Sequence, residues 1–211
     1  MKTIHADQCR DMVIAACDAI IKNKPYLTEI DSAIGDGDHG IGMSGGMEKA
    51  ETALKGKDFA TVADVFKTTG MTMLNSMGGA SGVIFGSMFL GGVKSFGTDP
   101  ELNCKNFSEA MRAALDSIQA RGKASVGDKT MVDALEPAVA AMEKSDTEDL
   151  TVMLGEAADA ADTGIEATKN MIAKFGRAKS LGERALGHQD AGATSVGIIF
   201  RAMAEYLKTT E

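Results

Sequence analysis

Apolar residues recur every three to four positions along most of the chain, a spacing that buries one face of an α-helix. Met12, Val13, Ala16 and Ile20 set this pattern near the start, and Pro25 predicts the end of that helix. The same spacing predicts further helices over roughly 44–54, 60–77, 83–96, 108–118, 130–142, 149–174 and 193–207.

No segment alternates apolar and polar residues for long enough to predict a strand. The expected fold is therefore all-α: a single domain over residues 1–211, built as an antiparallel up-and-down bundle or closed barrel of about eight helices. Ser108 is the expected N-cap of one helix, and the segment 83–96 is apolar enough to be buried on all sides. The 14 methionines are expected to fill the core, with some lining an apolar slot for a purine.

Charge and composition exclude several classes of function. The formal net charge is −8 and no basic cluster stands out, which argues against a nucleic-acid partner. No run reaches the ~18 apolar residues of a membrane span, so no membrane partner is expected and the predicted location is cytoplasmic. The three cysteines, Cys9, Cys17 and Cys104, form no CxxC pair and are expected to be reduced packing residues.

The stretch from Asp31 to Gly40 carries the clearest chemical signal. Asp31, Asp36 and Asp38 lie within eight residues and are interleaved with glycines that let the backbone turn sharply. Converging carboxylates repel one another without a cation, and oxygen-only ligands suit Mg²⁺ or Ca²⁺. A solvated acidic turn is the alternative. An EF-hand is excluded, because counting from Asp36 the twelfth position is Met47 rather than glutamate.

Two G-x-G-x-x-G matches, Gly35 to Gly40 and Gly40 to Gly45, lack the preceding strand that a dinucleotide fold requires. A P-loop is absent, because neither Gly-Lys pair is followed by Ser or Thr. The glycine loop Gly78 to Gly82 precedes an apolar helix, where open backbone N–H groups and the helix dipole favour an anion. Close helix packing is the alternative explanation for its small residues.

A third cluster, residues 176–195, places two arginines and a lysine next to another glycine-rich helix start. Arginine suits bidentate phosphate recognition, whereas a salt-bridged loop is the alternative. Carboxylates for Mg²⁺, a helix start for phosphate and cationic loop residues together make a complete nucleotide-phosphate site.

At these residues the chain resembles the L subunit of dihydroxyacetone kinase, the nucleotide-binding subunit, along nearly its whole length. The matching stretches are residues 31–40, 78–82, 121–123, 127–131, 176–178, 181–184 and 187–190. The resemblance implies a barrel of eight antiparallel helices with the nucleotide, ADP or ATP, at one end. It also implies that Asp31, Asp36 and Asp38 hold two Mg²⁺ ions.

The resemblance further implies a set of nucleotide-contacting residues. His39 and Arg177 are expected to position phosphate, Gly122 and Met131 to line the adenine side, and no catalytic residue is assigned. The full expected set is His39, Gly40, Ile41, Gly42, Ala80, Ser81, Gly122, Met131, Arg177, Asp190, Ala191 and Gly192.

The implied partner is a separate K subunit that holds the ketose covalently on a histidine. The implied phosphoryl donor is either a phosphohistidine protein of the sugar phosphotransferase system, acting through bound ADP, or exchangeable ATP. Gly42, Gly45 and Ala191 depart from familiar phosphotransferase-linked members, which have asparagine, arginine and proline there. An ATP-dependent kinase for another short ketose such as erythrulose, a nucleotide-occupied regulatory module and a homodimer all remain open.

Overall fold

The computed structural model describes residues 1–210. This part of the chain contains ten α-helices, one 3-10 helix and two three-residue strands. The helices are α1 Ala6–Lys22, α2 Lys24–Ile34, α3 His39–Leu54, α4 Val62–Ser76, α5 Gly79–Leu90, α6 Val93–Phe96, α7 Cys104–Gly122, α8 Val132–Lys144, α9 Leu150–Thr168 and α10 Ala191–Thr210. The strands are β1 Thr3–His5 and β2 Glu101–Asn103, and the 3-10 helix is Arg177–Ala185.

Eight of the helices form a closed ring in the order α1, α3, α4, α5, α7, α8, α9, α10, and α10 packs back against α1. The connections around this ring fall alternately at its two ends, as expected for antiparallel neighbours. One end carries the connections 35–38, 77–78, 123–131 and 169–190, which all contribute to one cavity. The predicted all-α barrel of about eight helices is confirmed.

The opposite end is closed by the first residues of the chain and by the remaining connections. β1 pairs antiparallel with β2, with Ile4 opposite Leu102. The N-terminal ammonium binds Asp149 at 2.7 Å, and Leu150 N–H donates to Met1 O at 2.8 Å. The two strands were not predicted, because three residues are too few to show an alternating pattern.

The start of α2 explains why the sequence did not predict that helix. Pro25 is not a stop signal here but lies in the first turn of α2, where its missing N–H would be unpaired in any case. Asn23 separates α1 from α2, so the chain continues into a second helix after one residue. α2 packs outside the ring against α3 and carries Asp31 in its last turn.

Two other expected helix features are corrected. α7 begins at Cys104 with Asn103 as N-cap, since the Asn103 side chain accepts from Asn106 N–H, and Ser108 lies inside the helix. The predicted helix 83–96 is two helices, and Val83 in the first of them is 37% exposed. The break falls at Gly91 and Gly92, where α7 approaches so closely that a Cβ at Gly92 would overlap the backbone of Ala110.

The interior of the helix ring is filled mainly by apolar side chains. Eleven of the 14 methionines are buried, as are Cys9 and Cys17, which confirms that these residues serve packing. Phe66 lies at the centre of an aromatic group with ring-centroid distances of 4.9–6.0 Å to Phe89, Phe96 and Phe107. Within residues 1–210, none of the helices combines the length and apolar character needed to span a bilayer.

Candidate functional site

The loop between α2 and α3 brings the three predicted aspartates together. One carboxylate oxygen from each of Asp31, Asp36 and Asp38 lies within 4.8 Å of the other two. The turn depends on Gly35, where a Cβ would collide with the Asp31 carboxylate, and on Gly37, whose φ is +75°. The short distances thus follow from the glycine spacing seen in the sequence.

The charges in this loop are only partly balanced by protein groups. The pKa of Asp38 is raised, first by desolvation and to a smaller extent by repulsion from Asp36 and Asp31. Arg177 forms an ion pair with Asp36, with Nε and Oδ2 2.8 Å apart, and His39 N–H donates to Asp31 Oδ2 at 3.1 Å. Three converging carboxylates with free oxygen lone pairs are the donor set that Mg²⁺ prefers, so these residues fit a divalent cation.

A cavity of about 900 Å³ opens next to this cluster, a size within the range of small-molecule sites. Besides the aspartates it is lined by residues from all four connections at this end of the barrel: Ile34, His39, Ile41, Gly42, Met77, Gly78, Gly79, Ala80, Ser81, Ile84, Phe85, Lys129, Thr130, Met131, Phe175, Gly176, Arg177, Ala178, Asp190, Ala191 and Gly192.

The start of α5 forms the wall beside the acidic cluster. Gly78 is its N-cap, Gly79 has φ +70°, and no atom outside the local chain lies within 4 Å of a Cβ built at either glycine. Close helix packing therefore does not explain these two glycines. The first N–H groups of α5, including those of Ala80 and Ser81, have no side-chain cap, so this end of the helix can receive an anion.

His39 begins α3, and its ring joins that helix to α10. Its Nε2 lies 2.8 Å from Ser195 Oγ, and the Ser195 hydroxyl donates to Ala191 O at 3.1 Å. Ser195 Oγ can accept from His39 Nε2 when that nitrogen carries a proton, because the one hydroxyl proton of Ser195 is then free to go to Ala191 O. Burial lowers the pKa of His39, which favours the neutral ring.

The pairing of His39 with Ser195 resembles a base and a nucleophile, but its geometry argues against that role. Ser195 is 0% exposed and is held inside the first turns of α10. An attacking hydroxyl must reach the substrate, whereas Ser195 is fully buried, lies outside the cavity lining and also bonds to Ala191 O. The contact instead fixes the His39 ring, which lines the cavity and whose centroid lies 5.9 Å from that of the Phe85 ring.

The third wall is formed by the turn before α8 and by the start of α10. Asp190 is the N-cap of α10, since its Oδ2 accepts from Ala193 N–H at 2.7 Å. Burial of this carboxyl raises its pKa from 3.8 to about 6, against the opposing effect of the helix N–H groups. Gly192 lies close to Met131, as shown by the 3.4 Å that would separate a Cβ built at Gly192 from Met131 Cβ.

Two residues of the expected nucleotide-contacting set lie outside the cavity lining. Gly40 is buried against α2, where a Cβ would overlap the side chain of Thr28. Gly122 ends α7, and a Cβ there would lie 3.2 Å from Ile84 Cδ1. Both positions shape the site from behind, Gly40 by allowing α2 and α3 to approach and Gly122 by leaving room for Ile84.

Sequence reasoning missed several residues that line or support the cavity. Lys129 and Thr130 belong to a motif that the sequence analysis matched, yet neither was expected in the site. Their signal was present in the charged and glycine-containing run Gly127 to Thr130. Phe85 and Phe175 carried no such signal, because only the packing of the helices brings them to the cavity. Ser195 lies in the cluster 176–195, but its contact with His39 depends on the packing of α10.

Comparison with known proteins gives a consistent result. The model of the DAK2 domain matches residues 33–205. The ADP-binding subunit DhaL of PEP-dependent dihydroxyacetone kinase 1 from Listeria innocua is 40% identical, over 87% of this chain and 88% of its own length. The corresponding subunit from Escherichia coli is 39% identical, over 85% of this chain and 86% of its own length.

Larger kinases match over a part of their length. The L-erythrulose kinase of Pectobacterium atrosepticum is 33% identical, and the match covers 92% of this chain but 34% of that protein. Among solved structures, the dihydroxyacetone kinase from C. freundii in complex with AMP-PNP and Mg²⁺ superposes with a TM-score of 0.74 at 26% identity. That match covers 93% of this chain and 33% of the other.

Proposed function

The chain belongs to the DAK2 domain family, and on that basis we propose that it is the nucleotide-binding, phosphoryl-transferring subunit of a dihydroxyacetone kinase-type enzyme. Its task is to pass a phosphoryl group from a magnesium-bound nucleotide to a short ketose held on a separate subunit. The observation that carries this proposal is the single cavity that joins three converging carboxylates to the uncapped start of α5.

Asp31, Asp36 and Asp38 would hold the magnesium, with two ions as the proposed number. When bound, Mg²⁺ supplies neutralisation of the charge on the nucleotide phosphates. The aspartates fix the place of that charge, and the glycines between them keep the three carboxylates converged. Protein groups alone leave the loop acidic, since Arg177 is its one ion-pair partner among residues 1–210.

The phosphate chain would lie between the acidic loop and the start of α5. There the N–H groups of Ala80 and Ser81 would donate to phosphate oxygens, in the direction that the helix dipole favours. Arg177, whose side chain is 77% exposed, can turn from Asp36 to the phosphates at small cost, because exposed ion pairs are weak. His39 is held through the contact of its Nε2 with Ser195 Oγ and lines the cavity beside the aspartates.

The base would occupy the apolar part of the cavity. Met131 and Ile84 lie on this side, and Gly122 leaves the space that Ile84 uses. A flexible, polarisable methionine and a flat aliphatic wall suit a purine ring. Gly40 and Gly122 therefore act on the nucleotide through the residues they allow to approach rather than by direct contact.

The ketose is the component for which we assign no pocket on this chain. The cavity lining offers phosphate, metal and purine contacts, and the buried Ser195, which contacts His39, lies outside that lining. In-line transfer requires the acceptor hydroxyl close to the terminal phosphoryl group. We propose that a K-type subunit docks over the mouth, where Ile41 is 57% and Phe175 36% exposed.

For the phosphoryl donor we propose bound ADP that is rephosphorylated in place. Three relatives at 37–40% identity carry names that state PEP or phosphotransferase dependence and describe ADP-binding subunits. Exchangeable ATP is the second candidate. It is favoured by Gly42 and Gly45, which have no side chain at the two positions of α3 where phosphotransferase-linked members have asparagine and arginine.

Mass spectrometry of the protein as purified separates the two donors. Retained ADP, at about one molecule per chain, is the result expected for a fixed coenzyme. A protein that purifies empty and then binds and releases ATP freely would support ATP as an exchangeable substrate. A protein that binds neither nucleotide with Mg²⁺ would contradict the proposed function itself.

A further inference from the structure

Lys129 is the buried lysine of the site. It lies in the turn before α8, lines the cavity and is 2% exposed. Its ammonium donates to Thr168 O at 2.6 Å and to His188 O at 2.5 Å. Asp133 and Asp190 are the carboxylates near enough to stabilise its charge.

Keeping a lysine at this position is costly in two ways. Burial opposes its charge and lowers its pKa, and the backbone is left-handed, with φ +58°. Glycine would adopt that backbone without strain and would bury no charge. The side chain must therefore contribute an interaction that outweighs both penalties.

The two carbonyls that Lys129 binds flank one long segment, residues 169–187. Thr168 is the last residue of α9, so the ammonium sits at the negative end of that helix. His188 lies just before the start of α10. Between these points, residues 169–187 leave the barrel, carry Arg177 across to Asp36, and return where Gly187 N–H donates to Lys169 O at 2.8 Å.

The same contacts connect opposite parts of the cavity wall. Asp190 N–H donates to Thr168 Oγ1 at 2.9 Å. The N-cap of α10 is therefore hydrogen-bonded to the same residue whose carbonyl accepts from Lys129. Met131 follows Lys129 by two residues. One ammonium thus connects the turn that bears Met131, the end of α9 and the loop that bears Asp190 and Gly192.

We propose that Lys129 is a positioning residue of the nucleotide site, which sets Met131 against the Asp190–Gly192 loop by binding Thr168 O and His188 O. The inference rests on the proposed function, because it concerns how well the cavity accepts a nucleotide. Lys129 acts through these neighbours and needs no contact with the nucleotide itself.

The test compares Lys129→Met with Lys174→Met. Lys174 is a matched control because its Nζ binds Asp128 at an equal 2.6 Å and fastens the same segment to the same turn, yet its side chain is 67% exposed and outside the cavity lining. Calorimetry with ADP and Mg²⁺ should show at least about tenfold weaker binding for Lys129→Met, the usual range for a lost supporting contact. Lys174→Met should bind within about twofold of the unmodified chain.

A second measurement reports position directly and separates it from general loss of structure. With ¹³C-methyl methionine, the Met131 signal should shift in Lys129→Met before nucleotide is added, while Met77 on the opposite wall stays unchanged. Lys129→Arg, which retains charge and donors, should recover part of the lost affinity. If Lys129→Met does not fold, the comparison is made with Lys129→Gln, which keeps amide donors for both carbonyls.

The outcomes distinguish the inference from the proposed function. An unmodified chain that binds no nucleotide would overturn the proposed function. Normal binding by the unmodified chain together with equal losses in the Lys129 and Lys174 variants, or an unshifted Met131 signal, would overturn the role of Lys129. Selective loss in the Lys129 variant with a shifted Met131 signal would establish it.

Discussion

Among single residues, Asp36 links the two charged features of the site. Its carboxylate converges with Asp31 and Asp38 and also forms an ion pair with Arg177. Replacing it by asparagine should remove one anionic ligand while leaving the fold intact, because the side chain is exposed and its ion pair contributes little to stability.

We expect Asp36→Asn to weaken binding of ADP with Mg²⁺ by at least about tenfold, which is ~1.4 kcal/mol, with an unchanged melting temperature. Asp146→Asn is the control, since it removes the same charge from an exposed residue at the far end of the barrel. Calorimetry on both variants decides the matter. Equal affinities in Asp36→Asn and the control would show that Asp36 is not a metal ligand.

Asp190 gives a prediction for pH. Its pKa is raised from 3.8 to about 6, so between these values the folded chain binds a proton that the unfolded chain has released. The stability from this group is therefore fully present below about pH 4 and is lost as the pH rises through 6. The full shift corresponds to ~3 kcal/mol, and the part of the side chain open to the cavity reduces it to ~1–2 kcal/mol.

Asp190→Asn keeps an N-cap acceptor for Ala193 N–H and has no proton to lose. Relative to this variant, the unmodified chain should lose ~1–2 kcal/mol of unfolding free energy between pH 4 and pH 7.5. Urea denaturation of both proteins at the two pH values measures the difference. Parallel pH dependence of the two proteins would mean that Asp190 titrates normally in the folded state.

Some site residues are positioned by their neighbours along the chain, and these could be predicted from the sequence; others are positioned only by the packing of distant helices. The three aspartates were predictable because short glycine-rich turns force neighbouring side chains together within ten residues. Ser195 was not, because its partner His39 is 156 positions away and meets it through the closure of α10 against the rest of the ring. Gly122 is predicted on the adenine side; in the structure it lies outside the cavity lining, next to Ile84.

At the scale of helices, α9 contains two glycines in opposite environments. A Cβ at Gly164 would collide with the carbonyl of Asp133 in α8, whereas nothing lies within 4 Å of a Cβ at Gly155. α8 and α9 are neighbours in the ring, so Gly164 sets how closely they approach.

We expect Gly164→Ala to lower the unfolding free energy by ~1–3 kcal/mol through overpacking. Gly155→Ala should raise it by ~0.5–1 kcal/mol, because alanine is the better helix former. Urea titration of the two variants tests both signs. A stabilised Gly164→Ala would show that the α8–α9 contact is loose.

Helices were predictable where their pattern was long and their ends were marked. The three-to-four-residue spacing of apolar positions located α1, α4 and α10 to within several residues of their ends, since each has a continuous apolar stripe. α2 escaped because proline can both end a helix and begin one. The split between α5 and α6 depends on contact with α7, which the segment itself does not encode.

At the scale of the whole molecule, ligand binding should be visible as stability. A ligand that binds only the folded chain stabilises it by ~2.7 kcal/mol at a hundredfold excess over Kd. For a chain of this length that corresponds to roughly 5–10 °C in Tm. ADP with Mg²⁺ should produce this shift and EDTA should reverse it, as measured by calorimetric melting. A shift that persists in EDTA would exclude magnesium as the bridge to the phosphates.

The barrel also defines what this chain lacks. All four connections at one end contribute to the cavity, and β1, β2 and the N-terminus lie at the other end. On the proposed function, the acceptor would arrive at the mouth of this cavity. A regulatory module would use the same nucleotide site without forming sugar phosphate, so product formation separates the two interpretations.

The most direct test measures sugar phosphate from a short ketose, first with this chain alone and then with a K-type ketose-binding subunit. Each reaction contains Mg²⁺ and either ATP or the phosphotransferase donor system, and Asp36→Asn serves as the inactive control. We predict no product from the chain alone, turnover when both subunits are present, and loss of turnover in Asp36→Asn. Robust turnover by the isolated chain, or none with the partner despite bound nucleotide, would contradict the account.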